Sequence, residues 1–202
     1  MMWCRKWVAI ATGIALGIVT FGVKGAISAP AGVFLAHLDT IQKTIPSDFT
    51  LRLPAKILLN EPADEEFIQK LRVKPKVNES PSSVTIDLLS CEDDQERCWI
   101  GSFAVASTNS ITAQKAYQRH LRAAAPIRLS PDVRAYVLDD IPKYPSVKVS
   151  SVMWQQDGMF YSAEFATPER QNMLYMALSM VNSEPVYAPP PMLQKSPSQA
   201  RP

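Results

Sequence analysis

Histidine is scarce in this sequence, with two in 202 residues, and glycine (seven) and cysteine (three) are little commoner. Each shortage closes off a class of chemistry. A serine hydrolase of the Ser–His–Asp kind needs a histidine placed as base, and no Gly-x-Ser-x-Gly elbow stands anywhere in the chain. His120, flanked by Arg119, Leu121 and Arg122 within a helical pattern, reads as a surface or boundary histidine. His37 sits beside Asp39 with no partner at metal-ligand spacing. Cys91 and Cys98 with two distant histidines do not make a four-ligand zinc site. The few glycines form no phosphate loop and no dinucleotide fingerprint, so no cofactor is expected.

A basic cluster is also missing. Three of the 21 Lys and Arg residues, Arg5, Lys6 and Lys24, fall in an N-terminal stretch without acids, which leaves 18 against all 19 Asp and Glu in the rest. Nucleic-acid binding draws on clustered Lys and Arg to displace counterions, and the basic stretches at 52–56 and 70–76 are interleaved with apolar residues instead. Nucleic acid is therefore not an expected partner.

What the chain does have begins at its N-terminus. Met1 to Lys6 ends in Arg-Lys, and Trp7 to Val23 is then almost wholly apolar. A positive charge ahead of an apolar run holds the N-terminus in the cytoplasm while the run enters the bilayer. Small residues follow, with Ala26 and Ser28 at cleavage-site spacing before Ala29. The run is long for a signal core and short for a span, so residues 1–29 fit both a cleaved signal and a retained anchor. Either way the protein is expected to be exported, to a periplasm or equivalent lumen.

The remainder predicts one α+β domain over 32–184, an antiparallel sheet of hairpins with helices on it. Phe34, Leu38, Ile41 and Ile45 recur at helical spacing up to Pro46. Leu71, Val73 and Val77 alternate with Arg72, Lys74 and Lys76, and Pro75 confines that strand to an edge. Two strand-like runs, Val84–Cys91 and Cys98–Val105, face each other across an acidic loop. Setting Cys91 opposite Cys98 also sets Ile86 opposite Phe103 and Val84 opposite Val105, with Leu88 and Trp99 on that apolar face, so the cysteine and hydrophobic registers agree. An exported chain oxidises such a pair, and closing a loop of about eight residues implies roughly 2.5 kcal/mol from chain entropy. The loop Glu92–Glu96 lacks the spaced oxygens and glycine of a calcium loop and reads as a solvated tip.

Residues 111–124 predict a second helix with Ser110 as N-cap, and Val133–Leu138 a strand after the Ser130-Pro131-Asp132 turn. Asp157-Gly158 is a two-residue hairpin turn that places Trp154 opposite Tyr161 and Val152 opposite Ala163, with Phe165 on the same side. Thr167-Pro168 starts a last helix, Thr as N-cap, burying Leu174, Ala177, Leu178 and Val181 with Met173, Met176 and Met180 widening that face. Both hairpins lead into helices, a hint of a duplicated strand–strand–helix unit. From 185 to 202 the chain is proline-rich and is expected to be a disordered tail.

The segment from Trp154 to Tyr161, in the pattern Trp-x-x-Asp-Gly-x-x-Tyr, with Arg170 and Ala177-Leu178-Ser179-Met180 beyond it, resembles a recurring C-terminal module of exported bacterial proteins of unknown function. With Arg52-Leu53-Pro54 and the paired cysteines, the whole chain is similar to uncharacterised exported proteins of cyanobacterial type. The resemblance implies fold and compartment and carries no activity.

Two functions follow as expectations. One is a non-enzymatic accessory domain that binds a protein partner or a membrane. The alternative is a carrier of a small hydrophobic ligand, with Trp99, Trp154 and Tyr161 facing it. An enzyme would have to rest on Asp87, Asp139 and Asp140, which no spacing brings together.

Overall fold

The computed structural model describes residues 29–79, 82–92, 96–123, 126–145 and 147–188. The expected leader before Ala29, residues 93–95 of the acidic loop and the expected tail from 189 onward lie outside them. Among the described residues no helix is long and apolar enough to cross a membrane.

Seven strands form one antiparallel sheet: β1 (Arg72–Glu79), β2 (Ser82–Leu89), β3 (Trp99–Ser107), β4 (Pro126–Arg128), β5 (Arg134–Tyr144), β6 (Val147–Gln156) and β7 (Met159–Ala166). Their spatial order is β1-β2-β3-β7-β6-β5-β4. The two expected hairpins meet at the centre, where β3 lies against β7. The α+β domain is as the hydrophobic patterns predict.

Strand alternation gives the sheet a front and a back. The front carries Val84, Ile86, Phe103, Val105, Val152, Trp154, Tyr161, Ala163 and Phe165, all buried in one core. Over it lie α1 (Gly32–Leu35), α2 (Leu38–Thr44), the segment 49–59 and α5 (Arg170–Asn182), whose side chains join the same core. The back carries Ala106, Met153 and Phe160, and α4 (Ile111–Ala123) covers these with Ala113, Ala116 and Tyr117. Since α4 and α5 sit on opposite faces, the two strand–strand–helix units are not related by a two-fold axis through the sheet. The hint of duplication ends there.

Both predicted registers are present. Val84 pairs with Val105 and Ile86 with Phe103. Cys91 and Cys98 form a disulfide with Cα atoms 5.5 Å apart. Beyond Leu88 a bulge shifts the pairing, so that Leu89 rather than Ser90 stands opposite Trp99 and the strict alternation predicted for Trp99 is broken. In the second hairpin Trp154 pairs with Tyr161 and Val152 with Ala163. Asp157 and Gly158 have φ of 51° and 73°, positive at both turn positions as a type I′ turn requires.

Four local expectations are corrected. The first helix is broken at Ala36 and His37 into α1 and α2, though Phe34, Ile41 and Ile45 are buried as its period requires. Thr167 does not cap the last helix: a 3-10 turn (Thr167–Glu169) precedes α5, and the Thr167 hydroxyl is buried without a partner. On α5 the methionines Met173, Met176 and Met180 are the buried stripe, with Ala177 and Val181, while Leu178 is exposed. The unbranched methionines fill the uneven surface of the sheet that a leucine row would have met less well. Finally, the strand after the Ser130 turn runs on to Tyr144 through a bulge at Asp139 and Asp140, the latter with φ of 56°. Past Glu184 the chain stays attached, Leu51 bridging Tyr187.

Candidate functional site

Of the three aromatic residues expected to face a ligand, two lie in the core. Trp154 and Tyr161 are both 0% exposed and stack with ring centroids 5.5 Å apart and planes 13° from parallel. Their polar ends are satisfied within the protein. The Tyr161 hydroxyl donates to the Thr50 carbonyl at 2.7 Å, and the Trp154 indole N–H donates to Gln156 Oε1 at 3.3 Å. Burial, with the nearby Asp157 charge, pushes the Tyr161 phenol far above its usual range. Neither ring lines any of the clefts described below.

Trp99 stands apart from them. It follows the disulfide and a 3-10 turn (Glu96–Cys98), and the bulge at Leu88 and Leu89 swings it out of the regular ladder. Tyr144 meets its ring edge-on at 6.2 Å, and the Lys143 ammonium lies 4.3 Å from its centroid, a cation–π contact. Its indole N–H is buried and has no hydrogen-bond partner. A donor left this way costs about 1–3 kcal/mol.

Trp99 lines a groove of about 310 Å³ with Leu59, Pro62, Ala63, Phe67, Ile100 and Ala166. The opposite wall is the acidic, proline-containing stretch from Glu61 to Glu66. It holds a cis peptide at Glu61–Pro62 and a short helix, α3 (Glu65–Gln69), capped by Asp64, whose carboxylate accepts from the Phe67 N–H at 2.8 Å. Phe67, 36% exposed, lines the groove together with Glu61 and Asn60. The wall is anchored to the start of α5. The Asn60 N–H donates to Glu169 at 3.0 Å, and Asn172 Nδ2 donates to both Asn60 Oδ1 and Glu169 Oε2 at 3.0 and 2.9 Å. Nothing lining this groove is a nucleophile or a base in hydrogen-bond reach of one.

A second cleft, of about 200 Å³, lies under α4 on the back of the sheet. His120 faces it and is 3% exposed, so the surface placement expected for it is wrong. It falls on the stripe Ala113, Ala116, Tyr117, His120, at the i, i+3, i+4, i+7 spacing of the buried face, and that spacing was the available signal. Its Nδ1 lies 2.9 Å from the Ala116 carbonyl and its Nε2 3.2 Å from Ser151 Oγ. A carbonyl only accepts, so Nδ1 carries the proton and Nε2 accepts from the serine hydroxyl. Burial draws the imidazole pKa below its usual value, the Ala116 hydrogen bond opposing it in part.

The carboxylates considered for an enzyme do not converge. Asp87 on β2 pairs with Lys76 at 2.6 Å, whereas Asp139 on β5 accepts from Ser150 at 2.6 Å and from Arg170 at 2.9 Å. Three strands separate β2 from β5. Among the described residues no three His, Cys, Asp or Glu side chains stand together as a metal site. Comparisons with protein-family models, with curated proteins and with solved structures find no match to this chain.

Proposed function

We propose that this is an exported binding domain whose site is the groove beside Trp99, and that the groove takes a small apolar molecule carrying a hydrogen-bond acceptor. The observation behind this reading is the combination of a lining that is apolar apart from Asn60, Glu61 and Glu169, a volume within the range of small-ligand sites and a buried indole N–H of Trp99 that lacks a partner. The acceptor satisfies that donor once the ligand is seated. Export is supported by the disulfide, which belongs to an oxidising compartment, and by the apolar leader that precedes the domain.

Titration with an apolar dye such as anilinonaphthalene sulfonate tests the site. Dye emission rises and indole emission is quenched on binding, and Trp99→Phe or Phe67→Asp weakens binding at least tenfold. Unaltered dye binding in both variants rules the groove out.

A further inference from the structure

The cleft under α4 owes its existence to small side chains. A helix packed on a sheet ordinarily interlocks Leu, Ile and Val, but here Ala113 and Ala116 face Ala104 and Ala106, and a volume of about 200 Å³ is left between the layers. Hydroxyls of Ser83, Ser110, Ser151 and Ser162 line it. A space of that size, apolar with these serines set into it, holds about seven waters' volume, enough for a small organic group.

Within that space three relationships coincide. Ser151 Oγ is in hydrogen-bond reach of His120 Nε2, and the imidazole is oriented by a third group, the Ala116 carbonyl on Nδ1. Nucleophile, base and orienter in sequence is the arrangement that activates a serine. Glu164 stands directly opposite Ser151 across β6 and β7, with Lys143 paired to its carboxylate. Arg119 is the one cationic side chain among the residues lining the cleft. The same row across the back face continues through Ser102 and Asp87, so the polar character of this end of the sheet is built by register.

We infer that Ser151 and His120 form a base-activated serine that accepts the acyl group of a small, uncharged ester in the cleft under α4. Ser151 Oγ attacks the ester carbonyl carbon as its proton passes to His120 Nε2. The C–O bond to the alcohol then breaks, and the departing alkoxide takes that proton. Water attacks the acyl carbon, gives a proton to Nε2 and restores the serine hydroxyl as the carboxylic acid leaves. The balance is ester plus water to acid plus alcohol. Arg119 offers positive charge to the oxygen that becomes negative, and Glu164 disfavours anionic esters. The low pKa that burial imposes keeps the base neutral and competent near pH 7. The cleft and the Trp99 groove have no lining residue in common, although Lys143, paired with Glu164, also lies over the Trp99 ring.

The test is covalent. The full chain, treated with a small alkyl fluorophosphonate, is expected to gain one adduct, located at Ser151 by peptide mass. Ser151→Ala, nearly isosteric, abolishes the adduct. His120→Phe slows labelling at least 100-fold, in line with loss of a general base. In the wild type the rate rises as His120 loses its proton, under the influence of Arg119, Glu164 and Lys143, and levels off above; in His120→Phe that dependence is gone. No adduct on the wild-type protein, an adduct on another serine, or labelling unaffected by the loss of His120 overturns the inference. Dye binding at Trp99 is unaffected in any of these cases.

Discussion

Trp154 and Tyr161 stack across the second hairpin, and the Tyr161 hydroxyl reaches over to the Thr50 carbonyl, so one aromatic pair joins the sheet to the segment that covers it. Both are fully buried. Trp154→Ala removes the larger ring from a site hemmed in on all sides and is expected to cost about 3–5 kcal/mol. Urea unfolding measures it, and a loss below about 1 kcal/mol would mean the core collapses onto the gap.

Gly101 owes its place to Phe165, its partner across β3 and β7. A Cβ on Gly101 would meet the Phe165 ring at 2.2 Å. Phe165 in turn packs edge-on against Phe103 at 5.4 Å, so the ring cannot simply withdraw. Gly101→Ala is expected to destabilise by about 1–3 kcal/mol through overpacking, and the double variant Gly101→Ala with Phe165→Leu to recover part of it. A neutral single variant refutes this account.

Opening the disulfide acts on the closed end of the β2–β3 hairpin and on Trp99. Replacing both Cys91 and Cys98 by serine should lower stability by roughly 2–3 kcal/mol. It should also loosen the turn that presents Trp99, seen as faster hydrogen exchange over 96–101. Unchanged exchange there would separate the disulfide from the groove.

His120 makes stability depend on pH. Its folded pKa lies below the unfolded value because burial disfavours the imidazolium. The unfolded chain therefore binds the proton more readily, and stability falls as pH drops from about 6.5 toward the folded pKa, then levels off. Above pH 7 the term vanishes, since both states are neutral. Chemical unfolding between pH 7.5 and 5 measures it, with carboxylate effects removed by comparison to His120→Phe. The variant should lose the step below pH 6.5; an identical profile defeats the assignment.

Local pattern carried much of the fold. The Asp157-Gly158 turn, the period of two on either side and the agreement of cysteine and apolar registers defined both hairpins residue by residue, because a one-residue slip would have turned each apolar face to water. The same reasoning misplaced Trp99 and Leu178. A bulge costs the ladder a single pair and leaves no mark in alternation, and a methionine stripe competes with a leucine stripe at the same helical spacing. The groove wall was hidden because the acidic stretch from Glu61 to Glu66 looks solvated, and nothing in its pattern marks Phe67 as lining a groove.

By itself the sequence determined the hairpins, their registers, the disulfide partners and the α+β class, all of which follow from residues a few positions apart. Only the tertiary structure decided that β3 lies against β7, that α4 and α5 take opposite faces, and that Trp154 and Tyr161 are core while Trp99 is not. It also brought His120 to Ser151, 31 residues along the chain. These depend on which apolar faces are buried together, a choice made by the whole core at once rather than by any local stretch of chain.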